Sequence, residues 1–416
     1  MKIVILGAGV AGCSAVYALK KTGINPKDIT LVEKEDFIGG CAHTGFCEGI
    51  SYEFGPQIMY TDEERLKKIF EEFLTNRAPP TEDGEYHPKV SVNGTLDDPH
   101  DFPVTTSNIL KLPNSEKVIH ELYNTNLDKA DYSNLEDYLI SRVGKTLYEI
   151  YFKNYNLKQW KIHPKEMDTE WVKTRTLTLR EKPDMFRGKW QGHPGNHNPL
   201  WEGMIEGCNL IKGEASVEED YSAAYINGEK IEADLIISSL PLSMKDLDFI
   251  NTYKIFVLLK SKDFVMPSYV TSFPNNYDFV RIMEYKQQCF VESDFTLLDF
   301  AFPWTYKTGK SEEEWISQVK KFCKDILKKD IVKYGHMEKE YVYPVPTERN
   351  LKEAFRRFDM LVETNIVPIG RMGMFSYISK DTCIRMALIL AENLDKVLKK
   401  GEEKRKVMNM MREKIS

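Results

Sequence analysis

The sequence predicts an α/β protein in which a Rossmann-like domain, assembled from separated parts of the chain, is interrupted by a helical insert and an antiparallel β-sheet domain. Three observations lead there. Residues 2–6, apolar from Ile3 on, read as a buried strand that leads into Gly7, Gly9 and Gly12. A second apolar run at residues 29–32 ends in Glu33. Two later runs, at 233–241 and 366–371, each lead into a turn, as buried parallel strands do.

The first run reads as a strand, and the glycines suit a dinucleotide. Gly7 allows the tight turn, Gly9 lets the backbone approach a pyrophosphate, and Gly12 lets the following helix lie close to the strand. The helix N-terminus offers unpaired N–H groups to phosphate. Glu33, at the end of the second strand, is placed to accept from a ribose hydroxyl. Gly39 and Gly40 follow almost at once. A second glycine bend there favours FAD over NAD, because the chain must run along the pyrophosphate and ribityl. The run at 366–371 leads through Gly370 and Arg371 to a helix from about Asp381. Its N-terminus would face the flavin pyrimidine edge and stabilise negative charge on the reduced ring. The first domain is thus read as Rossmann-like and FAD-binding, built from residues 1–80, 205–245 and 345–400.

Residues 62–74 carry Leu66, Ile69, Phe70 and Phe73 at helical spacing. Asn93 and Gly94 mark a hairpin. From 107 to 160 the pattern is helical and aromatic, and residues 106–165 are read as a substrate-capping helical domain. Asn227 and Gly228 mark another hairpin. Strands are expected at 255–259, 279–284, 289–291 and 297–302, and a helix at 312–328. Residues 81–105, 166–204 and 246–344 are assigned to the antiparallel sheet domain. A charged helix runs from 385 to about 414, with 401–416 as its end and its charge run at 399–406 read as a solvated face. Its Met408, Met410 and Met411 fit either a contact in a homodimer or a frayed end.

The formal charge of −6 offers no overall basic field for nucleic acid. No apolar stretch reaches membrane-span length, and no signal peptide is read at the start. The seven cysteines lack a Cys-x-x-Cys pair and read as reduced thiols in a cytoplasmic protein without a metal site.

One constellation suggests a substrate. Tyr151, Tyr155 and Trp160 could stack on a planar base, although aromatic residues at helical spacing equally fit a core. Arg180, Arg281 and Arg371 are candidates for diphosphate or flavin contacts, since a guanidinium binds phosphate oxygens in pairs. Arg281 stands out because its strand is otherwise aromatic and apolar. Tyr343 and Tyr377 could donate hydroxyls to a diphosphate.

These pieces resemble the UDP-galactopyranose mutases. The resemblance rests on residues 151–160, on 134–136 and 143–149 before them, and on 55–61, 190–194, 277–286, 343–344 and 370–377, in the family's order along the whole chain. It implies an isomerase in which reduced FAD attacks the anomeric carbon of a UDP-sugar through N5, UDP leaves and returns, and the ring recloses in the other size. It further implies Arg281, Arg180, Tyr377 and Gln57 as catalytic. Val217, Gly370, Arg371 and Ser379 would join the glycines and Glu33 on the cofactor. Tyr151, Tyr155, Trp160, Arg180, Arg281, Tyr343 and Tyr377 would hold the substrate. An external reductant or NAD(P)H would keep the flavin reduced, and glycan biosynthesis would be the setting.

The chain departs from the family at three places. Gln57 stands where the family has histidine, Ser379 where it has aspartate, and Pro199, Trp201 and Met204 fill a glycine-rich stretch. His193 and His197 just upstream have no assigned counterpart. A second reading is therefore an FAD-dependent oxidase or dehydrogenase of the amine-oxidase type. A third is a flavin-binding partner protein without chemistry.

Overall fold

The computed structural model describes residues 1–74, 86–124, 131–169, 172, 190–289 and 291–413. Ile3–Leu6 is wholly apolar because it is the middle strand of a five-stranded parallel sheet. The order is Ile366–Pro368, Leu235–Ser238, Ile3–Leu6, Ile29–Glu33, Asn209–Lys212. Ile3 sits level with Leu235 on one side and Ile29 on the other. Helices Val10–Lys21 and Lys380–Glu392 pack together over this sheet and bury their apolar faces in one core with it.

A second sheet has seven strands, in the order Ile331–Pro344, Phe249–Lys260, Phe295–Trp304, Arg281–Glu284, Val270–Ser272, Lys89–Val90, His100–Asp101. All neighbours are antiparallel except Val270–Ser272 with Lys89–Val90. Period-two alternation divides its faces. Tyr253, Ile255, Val257 and Leu259 join Trp315, Val319 and Phe322 of helix Glu312–Asp325 in one core. Phe256 and Leu258 face the other way, towards Ile50, Ile58, Met283 and Tyr285. Lys254, Asp299 and Arg281 fall on that second face. Ala301 is paired with both Lys254 and Arg281, so its small side chain separates the two long cations.

The helical insert comprises Thr106–Lys111, Ser115–Asn124, Leu135–Leu147 and Asn154–Trp160, with a π-helical turn at Tyr148–Lys153. Of the two expected hairpins one is present: Asn227 and Gly228, both at positive φ, join Ala224–Ile226 to Glu229–Lys230. Asn93 and Gly94 instead lie within the longer loop 91–99, which joins Lys89–Val90 to His100–Asp101, and the Asn93 side chain accepts from Thr95 N.

Four expectations need correction. Cys289 and Val291, expected in a strand, are not in one. Tyr285–Cys289 is a short helix, where Lys286 Nζ reaches the carbonyls of Ser261 and Ser293. An apolar run of three residues is too short to hold a strand against that anchor. Residues 190–204, grouped from sequence with the antiparallel sheet, lie elsewhere. Trp190–Gly192 pairs with Met59–Thr61, and Asn198–Ile205 buries Leu200, Trp201 and Met204 in the parallel-sheet core. The C-terminal helix is broken at Asn393 and at Lys400 into Lys380–Glu392, Leu394–Leu398 and Gly401–Glu413. Its charge run is not wholly solvated: Lys404 is buried with Val407, Met408 and Met411. The Lys404 ammonium donates to the carbonyls of Leu361, Thr364 and Ile366, which is why a lysine tolerates that stripe. Met408 and Met411 are spent on this core and not on a second copy.

Candidate cofactor and substrate site

The glycine turn is built by the protein itself. Gly7, at φ 90°, donates to Val32 O at 2.9 Å. A Cβ on Gly12 would lie 1.9 Å from Gly7 O, so helix and turn touch backbone to backbone. Gly39 donates to Ala8 O at 2.8 Å and forms a parallel bridge with Gly9, bringing the second glycine bend against the first. A Cβ on Gly9, by contrast, would meet no protein atom within 4 Å. The fold needs Gly7 and Gly12, whereas Gly9 faces open space at a helix N-terminus, as a pyrophosphate site requires. Glu33 points at this turn: Oε2 accepts from Ala8 N at 2.8 Å and Oε1 from Lys34 N and Glu35 N. Val217 is half-buried in Ala215–Val217 beside the same core. Gly370, at φ 76°, lies close enough to the first helix that a Cβ would sit 2.5 Å from that of Ala11. Ser379 is the N-cap of Lys380–Glu392 and bonds the side chains of Asp381 and Thr382.

Tyr155, Trp160, Arg281, Tyr343, Arg371 and Tyr377 come together. The hydroxyls of Tyr155 and Tyr343 lie beside the Arg281 guanidinium and interact with its charge. Trp160 meets Tyr343 and Tyr377 edge-on, at 6.1 and 5.8 Å between ring centres. Arg371 lies 5.2 Å over the rings of Tyr343 and of Tyr377. Its N–H groups donate to the carbonyls of Ile378 and Val342, so it acts as a fixed positive charge. Burial pushes the Tyr155 hydroxyl up to about 12 and keeps it a donor. Lys254, which sequence reasoning passed over, is fully buried and paired with Asp299. It lies on the same sheet face as Arg281, with Gly55 beside both.

Two expected residues are placed elsewhere or lie out of view. Tyr151 turns to His100, whose Nδ1 its hydroxyl contacts, and packs in the core of the helical insert. The π-turn shifts the facing of successive residues, so Tyr151 and Tyr155 do not form one stacking box. Arg180 lies outside the described residues. Gln57 is half-buried, with its Nε2 3.4 Å from Phe54 O and its own carbonyl accepting from Lys380 Nζ.

The cluster that sequence reasoning missed is Glu53, His193, His197 and Lys380. Glu53 accepts from Thr44 Oγ1 at 2.9 Å, His193 Nε2 at 3.2 Å and His197 Nδ1 at 3.2 Å, all out of contact with water. Burial would raise the Glu53 pKa, but its histidine partners outweigh it and hold the carboxyl well below the usual range. Gly195 N lies 3.0 Å from His193 Nδ1. Burial lowers the His193 pKa, but the Glu53 carboxylate outweighs it and raises it to about 10. Lys380 Nζ donates to His197 Nε2 at 3.1 Å, so His197 is neutral, with its proton on Nδ1. Burial, with Lys380 nearby, pushes His197 down to about 3. Three potential metal-ligand atoms here fall within 4.8 Å of one another, but each is committed to these hydrogen bonds. The two histidines lie in a loop far in sequence from Glu53, so no helical spacing announced them.

Fold and site together define a Rossmann-type α/β protein in which a cluster of arginines and tyrosines follows the Gly370 turn that packs against the first helix. Residues 5–73 match the NAD(P)-binding Rossmann-like domain, and residues 150–377 match the UDP-galactopyranose mutase family. The chain belongs to the UDP-galactopyranose mutase family. It is 23% identical to the dTDP-fucopyranose mutase of Escherichia coli over 94% of this chain and 97% of that one. It is 22% identical to a probable UDP-galactopyranose mutase of Klebsiella pneumoniae over 94% of each. A crystal structure of reduced UDP-galactopyranose mutase superposes with TM-score 0.79 at 17% identity, covering 98% of each chain, and so shares the fold. The protein is thus an isomerase, a sugar-nucleotide mutase on a flavoprotein fold. No helix among the described residues is long and apolar enough to cross a membrane.

Proposed function

We propose that the protein binds FAD and, with the flavin reduced, interconverts the pyranose and furanose forms of a UDP-linked hexose, UDP-galactose first among them. Gly7, Gly9 and Gly12 and the helix behind them would hold the pyrophosphate, and Glu33 the ribose. Gly39, Gly40, Val217, Gly370, Arg371 and Ser379 would line the rest of the cofactor. The flavin supplies N5 as the nucleophile towards the anomeric carbon.

The protein's part is to hold that carbon in place and to neutralise the departing diphosphate. The observation that carries this reading is Arg281. It is surrounded by tyrosine hydroxyls, and its buried Nε has no hydrogen-bond partner among the described residues. A buried guanidinium donor left unpaired is costly unless a ligand accepts from it. Tyr155, Tyr343 and Tyr377 would share the diphosphate with Arg281, and Trp160 would close the nucleoside end. The family resemblance adds Arg180 to the diphosphate and Gln57 to the flavin side. NAD(P)H or another external reductant would reduce the flavin.

The test is to load the protein with FAD, reduce it with dithionite, add UDP-galactofuranose and separate the sugar nucleotides by chromatography. UDP-galactopyranose should form in the reduced sample and not in the oxidised one. No conversion in either would defeat the proposal.

A further inference from the structure

The cluster behind Gln57 has no part in gripping a diphosphate, yet it holds a lysine at the start of the helix that faces the proposed flavin. We propose that Lys380, positioned by the buried Glu53–His197 pair, takes up a proton from solvent when the bound flavin is reduced, and so balances the negative charge that reduction creates. The inference rests on the flavin reading above.

The geometry makes Lys380 the end of a relay. Glu53 accepts from His197 Nδ1, and this leaves His197 Nε2 as a fixed acceptor for Lys380 Nζ at 3.1 Å. The other acceptor on Nζ is the carbonyl of Gln57. Two acceptors match the two N–H bonds of a neutral amine, whereas an ammonium has a third proton to place. His193 and Thr44 saturate the rest of the Glu53 carboxylate, so Glu53 stays ionised and cannot take the lysine's proton itself.

The charged groups around Lys380 are few. Glu53 and Asp381 favour its charge, and burial opposes it more strongly, leaving Lys380 near 7 instead of 10.5. His197 is neutral. Arg385, on the same helix, is taken up by Glu63 and Asp381. Lys380 is the first residue of Lys380–Glu392, where the helix dipole also disfavours a cation. A new negative charge nearby would tip this balance towards the ammonium.

The protons and electrons balance as follows. Two electrons and one proton from the reductant and water enter the flavin, which gains one net negative charge. A second proton passes from solvent to the Lys380 amine, which gains one positive charge. Wild-type protein therefore binds two protons per two electrons above neutral pH, and a protein without the amine binds one.

The test is the pH dependence of the bound flavin's midpoint potential. It would be measured from pH 7 to 9 with xanthine and xanthine oxidase as electron source and a reference dye. The slope should report about two protons per flavin in the wild type and about one in Lys380→Met. Lys380→Gln should match the methionine variant and guards against a folding defect, with flavin content read from visible absorbance. His197→Asn removes the imidazole acceptor and should move the pH at which the slope changes. A slope of one proton in the wild type, or of two in flavin-replete lysine variants, would overturn the relay. So would stoichiometric zinc in the purified protein, because the metal would occupy the nitrogens the relay uses. Wild-type protein that stays colourless after FAD loading would overturn the cofactor reading itself, and the relay with it.

Discussion

Replacing Gly9 and Gly12 by alanine, one at a time, separates a glycine the fold needs from one a ligand needs. At Gly12 the added Cβ would lie 1.9 Å from Gly7 O, against the 3.0 Å below which real Cβ contacts essentially never fall. The turn and helix must therefore part by about 1 Å. Both sides of the contact are backbone, so no side chain can rotate away. A cost near the upper end of the ~1–3 kcal/mol for overpacking follows. At Gly9 the backbone has φ −73° and ψ −173°, which any residue adopts, and the Cβ meets nothing within 4 Å. Loss of a glycine N-cap there should cost less than about 1 kcal/mol. Urea unfolding of the flavin-free variants reads this difference. Titration with FAD, followed by flavin fluorescence, should then reverse the order. Gly9→Ala should bind at least about tenfold more weakly, or about 1.4 kcal/mol, although it folds normally. If Gly9→Ala binds FAD as tightly as the wild type, no pyrophosphate approaches Gly9 and the cofactor assignment is wrong.

Further outcomes follow from the same geometry. Arg281→Ala should lower turnover at least about a hundredfold, the scale for losing one preorganised charge donor, with FAD affinity unchanged; unaltered turnover would remove Arg281 from the site. Lys404→Met should lower the urea-derived stability by about 3 kcal/mol, because three carbonyls lose their donor; a change below about 0.5 kcal/mol would mean that water replaces the ammonium. Glu53 has a folded pKa depressed below its ordinary 4.5. Its contribution to stability is therefore complete above that pH and is lost as pH falls below it. Thermal melts from pH 6 to pH 3 should show a steeper acid decline in the wild type than in Glu53→Gln, and equal slopes would assign the acid sensitivity elsewhere.

The fold was legible where one physical demand dominated. Ile3–Leu6 and Leu235–Ser238 are buried on both faces and so read as apolar runs, and Gly7 and Gly12 are glycines for reasons visible within a single turn. The aromatic and arginine cluster was half legible. Tyr155, Trp160 and Arg281 come together as their residue types suggested, but Tyr151 does not join them, because helical periodicity assumes 3.6 residues per turn and the chain inserts a π-turn there. Lys404 defeated the rule that charge runs are solvated, since the carbonyls that accept its protons lie about 40 positions earlier in the chain. Glu53, His193, His197 and Lys380 come from three distant segments. Only the folded arrangement shows which nitrogen faces which oxygen, so this buried polar cluster left no local pattern to read.

The central claim is that the chain rearranges a sugar nucleotide without net oxidation. The most direct measurement follows sugar isomers and flavin absorbance together, under anaerobic conditions, in FAD-loaded protein given just enough dithionite to bleach it. With UDP-galactofuranose in large excess, many equivalents of the pyranose should form while the flavin stays bleached. Consumption of only about one equivalent of sugar nucleotide per flavin, with a matching change in flavin colour, would mark an oxidoreductase and contradict the account.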